Sequence, residues 1–264
     1  MNEAALGTVI AGTGGLGRHA AQTRFGDVII VGGGCYGSFY AGQLLRAVEL
    51  GKVVLGRLVV VDRDPACRFA RQIGPAAGRE LIVADWDEFF DRYLEGETGS
   101  RDPDIIVPSP LMPHLMYHWL VRRSRARWPG RLVETRPLGV GPLTPYDTPA
   151  PDGTRYVSYA DWTCPTHCIE PAICPVTRAP RTWEMREALE TLARRHVPPL
   201  AGPAVFTCRH RAHGVGAFDR IEVQAGDLLV AEVGAVGAEA DILVGTISSC
   251  HGAVNRLHLG PSGA

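Results

Sequence analysis

Several features that mark common protein classes are missing from this sequence. No apolar run approaches the roughly 18–20 residues that a transmembrane helix needs. The N-terminal stretch 1–25 has no basic flank followed by an apolar segment, as a secretory signal would have. The formal net charge is only −1, which gives no electrostatic reason to expect nucleic acid or a charged membrane as a partner. We therefore expect a cytoplasmic protein that binds a small molecule, with self-association left open.

Cysteine is too sparse for a disulfide scaffold. The 264 residues include seven cysteines, whereas a secreted disulfide-rich domain is shorter and denser in cysteine. In a reducing compartment these residues are thiols or metal ligands. Hydrophobic residues make up 45% of the chain, which is enough to bury a core in one large domain or two smaller ones.

Between residues 27 and 127, four short apolar runs alternate with four helical patterns. An apolar run of this kind predicts a strand buried on both faces, and the alternation predicts right-handed crossovers in a parallel sheet. The predicted strands are 28–31, 58–61, 81–83 and 105–107. The predicted helices are 38–50, 65–73, 86–94 and 111–127. The fold class that follows is α/β with a parallel, Rossmann-type sheet.

This regular pattern ends at Pro129. Residues 137–151 hold five prolines and two glycines, and 136–180 has no clear periodicity, which is unusual in a compact domain unless a bound metal orders it. Beyond it we predict a helix over 182–196 and strands over 204–207, 228–233 and 242–246. The predicted organisation is a leader (1–26), a nucleotide-binding domain (27–136) and a cysteine-rich α/β cap for metal or substrate (137–264).

A glycine-rich loop connects the first predicted strand to the first predicted helix. Its residues, Gly32-Gly33-Gly34-Cys35-Tyr36-Gly37, spell G-x-G-x-x-G. In such a loop the first glycine permits the tight turn, the second lets the backbone approach a pyrophosphate, and the third lets helix and strand pack closely. The free N–H groups at the helix start then face the phosphates. A second G-x-G-x-x-G at 12–17 leaves no room for a following helix, so we do not interpret it as a phosphate loop.

Residues 27–127 resemble the Rossmann NAD(P)-binding superfamily, which includes the dinucleotide-binding regulatory domains of potassium transporters. The resemblance implies nucleotide binding rather than a particular reaction. Asp62 ends the second strand and can bind a ribose 2′-hydroxyl, which favours NAD, while the adjacent Arg63 can serve the 2′-phosphate of NADP. FAD in the same loop, S-adenosylmethionine bound near Asp62 and Asp85, and a domain without ligand are the alternatives. The candidate cofactor contacts are Gly32, Gly34, Tyr36, Gly37, Asp62, Arg63 and Ser109.

Three cysteines crowd into eleven residues. Cys164, Cys168 and Cys174 follow a C-x3-C-x5-C spacing, with proline after the first and the third. Three thiolates this close repel one another unless a cation holds them. Structural zinc usually uses a C-x2-C knuckle, which this segment lacks, whereas iron–sulfur clusters accept looser loops and often have Cys-Pro at a ligand. The segment resembles iron–sulfur motifs in general, and we expect a 4Fe–4S cluster, with zinc or unligated thiols as alternatives.

A four-iron cluster needs a fourth ligand. Cys250, directly after a predicted strand, is the first candidate and Cys208 the second. Among the cysteines, His167 and Glu170 are candidates for moving protons. Ser109 ends the fourth strand, where it can contact a nicotinamide ribose.

Together these motifs predict an NAD(P)-linked oxidoreductase that contains an iron–sulfur cluster. No Ser–Lys, Tyr–Lys or Cys–His catalytic pair is visible, so a non-catalytic protein that senses nucleotide and redox state, with a structural iron–sulfur or zinc site, is the main alternative. An S-adenosylmethionine-dependent methyltransferase is the third hypothesis.

Overall fold

A computed structural model of the chain describes residues 22–96, 99–165 and 168–263. Within those ranges, no helix is both long and apolar enough to cross a membrane. The second glycine motif at 12–17 and most of the predicted leader lie outside the described residues. The first strand already begins at Thr23, before the predicted end of the leader at residue 26.

Six helices and twelve strands make up the described part of the chain. The helices are α1 (Cys35–Glu49), α2 (Arg68–Gln72), α3 (Trp86–Glu95), α4 (Leu115–Arg127), α5 (Met185–Arg195) and α6 (Arg220–Ala235). The strands are β1 (Thr23–Val31), β2 (Val53–Asp62), β3 (Arg79–Val83), β4 (Ile105–Val107), β5 (Val133–Arg136), β6 (Tyr146–Pro149), β7 (Arg155–Ser158), β8 (Ala201–Thr207), β9 (Arg209–Ala212), β10 (Val215–Asp219), β11 (Ala240–Ile247) and β12 (His251–Leu259).

The first sheet has the strand order β3-β2-β1-β4-β10-β9. Its first four strands are parallel, and β10 and β9 extend it antiparallel. Alternate residues of β1 enter different cores: Ile29 packs with α3, α4 and α6, and Ile30 packs with α1 and α2. The continuous apolar runs therefore arise because helices cover both faces of this sheet.

The second sheet has the order β6-β7-β12-β11-β8, with β5 also paired to β12. Only the β11–β8 pair is parallel; the other pairs are antiparallel. Leu243 faces α5, while its neighbours Ile242 and Val244 share a core with α4 and α6. Because that core also contains Ile29 of the first sheet, α4 and α6 join the two sheets.

The mixed α/β class is confirmed, but the prediction of a parallel sheet holds only for β3, β2, β1 and β4. The two sheets also exchange strands across the proposed boundary at 136/137. The later strands β9 and β10 join the first sheet, and β5 joins the second. The domain boundary itself stays a prediction.

The predicted strand at 228–233 is wrong, because these residues lie inside α6. The buried positions of α6 include Val223, Gly226, Asp227, Val230 and Gly234, which fall at i, i+3, i+4, i+7 and i+11, as on one face of a helix. The consecutive apolar residues that suggested a strand are therefore not all buried, because only those on one face of α6 enter the core.

Candidate functional site

The glycine-rich loop has the backbone geometry that its three glycines predict. Gly32 has a φ of +85°, and its N–H donates to the carbonyl of Val61 at 2.9 Å. A Cβ on Gly37 would lie 1.7 Å from the Gly32 oxygen, so only glycine fits where α1 meets β1. A Cβ on Gly34 would meet nothing within 4 Å. The backbone of the loop is therefore open at Gly34, while Gly37 and Gly32 are in tight contact where α1 meets β1.

Asp62 is tied to this loop rather than standing free. Its Oδ2 accepts from the Gly33 N–H at 2.6 Å, and its Oδ1 accepts from the Asp64 N–H at 2.8 Å. A carboxylate oxygen has two lone pairs, so a ribose hydroxyl can still donate to Asp62.

A pocket of about 260 Å³ lies beside Asp62, among residues that follow β2 and β3 and the residues Met112 and Leu115 near the start of α4. Arg63 lines it and forms an ion pair with Asp85. The Asp87 N–H and the Arg63 guanidinium lower the pKa of Asp85 despite partial desolvation. Three carboxylates thus surround this pocket, those of Asp62, Asp85 and Asp87, and the cation is already paired with one of them.

The two remaining predicted cofactor contacts lie on either side of the carboxyl edge of the first sheet. Ser109 follows β4, is buried, and accepts from the Leu111 N–H through Oγ at 3.3 Å. It lines a second cavity, of about 660 Å³, rather than the pocket beside Asp62. Tyr36 lies in the first turn of α1 and is 43% exposed.

A cavity of about 660 Å³ brings together the predicted metal ligands. The same cavity is lined by Ser109, at the carboxyl edge of the first sheet. Five thiols line it. Three come from the predicted cysteine loop, one from the β8–β9 connection and one from the β11–β12 turn: Cys164, Cys168, Cys174, Cys208 and Cys250. The cysteine loop and the distant Cys250 therefore face one common space.

Local hydrogen bonds hold the thiol-bearing segments in place. Cys250 lies in the turn between β11 and β12, and its carbonyl accepts from the Tyr159 N–H at 2.9 Å. Cys174 lies in a tight turn in which its N–H donates to Ala179 O and its carbonyl accepts from the Arg178 N–H. Both cysteines are thus placed by the backbone.

Three of the sulfurs have N–H donors close by. The Trp183 indole N–H donates to Cys250 Sγ at 3.3 Å, and the Glu170 N–H donates to Cys168 Sγ at 3.4 Å. The backbone N–H groups of Thr177 and Val176 lower the pKa of Cys174. Such donors stabilise a thiolate.

Burial acts in the opposite direction and raises the pKa of three thiols of the cavity, Cys250 among them. It raises the pKa of Cys250 to about 11 and that of Cys208 to about 12. Burial, together with the neighbouring thiols of Cys168 and Cys174, also raises the pKa of Cys164. Without a bound cation, these three groups are therefore neutral thiols at physiological pH.

The thiols share a cavity without converging on one point. Across residues 22–96, 99–165 and 168–263, no group of three or more His, Cys, Asp or Glu side chains is close enough to hold a single metal ion. His167, the predicted proton carrier between Cys164 and Cys168, lies outside the described residues. Metal binding stays a prediction.

Glu170 links the cysteine loop to the turn that carries Cys250. Its φ of +49° is uncommon for a residue other than glycine. Its carboxylate accepts from the Ser249 N–H at 2.9 Å. Although burial opposes ionisation, the Ser248 hydroxyl and this N–H lower the pKa of Glu170. The carboxylate is therefore charged, fixed and directed at the cavity.

Two histidines, His210 and His251, also line the cavity. His210 Nδ1 lies 3.0 Å from the carbonyl of Gly214. A ring nitrogen that donates to a carbonyl leaves the other nitrogen free to accept a proton or a ligand. Only the β9–β10 hairpin, which the sequence pattern did not predict, brings His210 to this place.

Residues 116–260 match a protein family described as "Uncharacterized protein, C-terminal domain". The match runs from α4 to the end of β12, so it includes all four predicted thiol ligands and leaves out the glycine-rich loop. No curated protein and no solved structure matches the chain. Because the family match spans more than half of its length, the chain belongs to this family of C-terminal domains.

Proposed function

We propose that this protein is an NAD(P)-linked oxidoreductase that holds an iron–sulfur cluster on Cys164, Cys168, Cys174 and Cys250. One observation carries the proposal: these four thiols line a single cavity that is also lined by the residues at the carboxyl end of β4. In open α/β sheets, ligands bind outside the carboxyl ends of the strands. A redox centre at this position would lie next to a bound nucleotide.

The chemistry of the donor set fits such a centre. Thiolates are the preferred ligands of iron–sulfur clusters and also suit zinc. Hydrogen bonds to the sulfurs help set the potential of a cluster, and Cys168 and Cys250 each accept one. Cys250 is preferred over Cys208 as the fourth ligand, because Trp183 supports its thiolate.

The first sheet supports the nucleotide part of the proposal. Its order β3-β2-β1-β4 is the order of the first strands in a Rossmann fold, and the glycine-rich loop has the turn and the close packing that this fold requires. The pocket beside Asp62 favours NAD over NADP. A 2′-phosphate there would face three carboxylates, with Arg63 already paired to Asp85.

We assign roles to two residues that line the cavity. In this proposal Ser109 contacts the nicotinamide ribose, and Glu170 exchanges a proton with a substrate and holds the turn of Cys250. A cluster bound here would supply one-electron transfer or Lewis acidity. Since NADH delivers two electrons as hydride, we assign the thiol centre to substrate binding or to structure, with hydride transfer beside it.

The first test is metal and acid-labile sulfide analysis of protein purified without oxygen. We expect about four irons and four sulfides per chain, lost in Cys250→Ala and kept in Cys208→Ala. The control is Cys35→Ser, an exposed thiol outside the cavity. One zinc and no sulfide would refute the cluster and leave a structural metal.

A second experiment identifies the bound nucleotide by titration with NADH, NADPH, FAD and S-adenosylmethionine. NADH binding without turnover of any carbonyl acceptor would favour the non-catalytic sensing protein.

A further inference from the structure

One wall of the large cavity is a flat face of the second sheet. In β6 and β7, Tyr146 is opposite Ser158 and Thr148 is opposite Tyr156. Alternate residues of a strand share a face, and all four line the cavity. The next strand, β12, adds Ala253 opposite Tyr156. We call this face, formed by these five residues, the tyrosine wall.

The tyrosine wall combines small and large side chains. Each tyrosine is paired across the strands with a small residue, and Tyr146 and Tyr156 are 42% and 46% exposed. An exposed aromatic ring gains free energy when an apolar surface covers it. Aromatic rings also favour offset or edge contacts with other rings. The wall therefore offers shallow space between two rings that an apolar ring can fill.

Six prolines add further apolar surface to the cavity. Proline presents an apolar ring and has no N–H to donate, and prolines from the β4–α4 segment and from the cysteine loop face this space. They are Pro108, Pro110, Pro113, Pro165, Pro171 and Pro175. The cavity volume of about 660 Å³ lies within the range of pockets that hold drug-sized organic ligands.

We propose that this cavity binds an organic molecule with an apolar ring system, and that its ring lies against the tyrosine wall. The inference rests on the proposed function only in calling this molecule the substrate. Its polar group faces the part of the cavity that holds Glu170, His210 and the thiols. Few polar groups with fixed positions in an otherwise apolar pocket are the usual means of orienting such a ligand.

The test is binding of anilinonaphthalene sulfonate, an apolar ring compound whose fluorescence rises when it leaves water, to the full chain with and without chelator treatment. Thr148→Trp fills the tyrosine wall from the exposed edge strand β6. The matched control is Leu228→Trp, on the exposed face of α6 and outside the cavity. We expect Thr148→Trp to weaken binding at least about tenfold and Leu228→Trp to leave it unchanged. Equal binding by the two variants would overturn the proposal.

Tyr156→Ala gives a second, independent variant, in case Thr148→Trp does not fold. Losing one aromatic contact should weaken binding about three- to tenfold, at a thermal midpoint close to that of the unaltered chain. Unchanged binding would overturn the proposal. Metal analysis of the same samples separates the two ideas. A protein that is metal-free as purified, before any chelator is added, and whose probe binding still depends on Thr148 and Tyr156, refutes the cluster and supports the ring site. A protein that is metal-loaded as purified, and whose probe binding depends on neither residue, supports the cluster and refutes the ring site.

Discussion

The close contact between α1 and β1 predicts that Gly37→Ala destabilises the chain. The new Cβ would lie 1.7 Å from the Gly32 oxygen and 3.3 Å from a methyl group of Ile30. The nearest atom belongs to the backbone of the turn and cannot rotate away. Overpacking of this kind costs roughly 1–3 kcal/mol or more, and the higher helix propensity of alanine offsets about 1 kcal/mol. We expect a loss of about 2 kcal/mol, or roughly 4–8 °C in melting temperature.

Gly34→Ala is the matched control, in the same loop and with the same added atom. Gly34 has a φ of −71° and open space where a Cβ would lie, so we expect a change below about 1 kcal/mol. Urea unfolding followed by circular dichroism measures both variants. If Gly37→Ala is as stable as Gly34→Ala, α1 does not pack on β1 as described, and the glycine loop loses its structural argument.

Three further results are expected. Gly34→Val should cost only about 1 kcal/mol of stability at this N-cap position but weaken NADH binding at least about tenfold in calorimetry, because its side chain occupies the open backbone surface that a pyrophosphate would approach. Unchanged affinity would place the nucleotide elsewhere. Trp183→Phe should shift the reduction potential of the bound cluster with iron content unchanged, because it removes a donor to Cys250 Sγ. Trp128→Phe, outside the cavity, should leave the potential unchanged. Equal potentials in the two variants would remove Cys250 from the ligand set. Asp241→Asn should cost about 2 kcal/mol near neutral pH. Although burial opposes ionisation, the partners Arg256 and His258 lower the pKa of Asp241. The stability difference is therefore complete above the ordinary pKa of aspartate and declines as pH falls through the depressed one, so a difference independent of pH in acid would refute the assignment.

The parts of the fold that the sequence predicted are those with a strong local signal. β1 and β4 are continuous apolar runs that helices cover on both faces, and α3 and α5 are clearly amphipathic. Of the six missed strands, β5, β6, β7, β9 and β10 have four or five residues each, and β6, Tyr-Asp-Thr-Pro, is polar and at a sheet edge. The sixth, β12, has nine residues. The short strands form because β12 and β4 offer partners, which no local pattern shows.

The candidate site shows the same division. The spacing of Cys164, Cys168 and Cys174 marked the cysteine loop, and the end of a predicted strand marked Cys250. The Tyr159 N–H and the Glu170 carboxylate hold the β11–β12 turn next to the cysteine loop. These residues line one cavity because of that contact. Because β12 was not predicted, this turn could not be foreseen, and neither could the tyrosine wall that β12 completes.

The family match begins at α4, yet the cavity is not a property of the matched region alone. Ser109 and Tyr40 line it from the part of the chain before residue 116, and the thiols line it from the part after. The connection is physical, because β10 of the matched region hydrogen-bonds to β4 and extends the first sheet. A C-terminal domain of this family joined to a different N-terminal domain would keep the thiols but change the wall that faces them. If members of this family keep the four cysteines but lack Ser109 and the glycine-rich loop, the role of the metal site does not depend on the nucleotide.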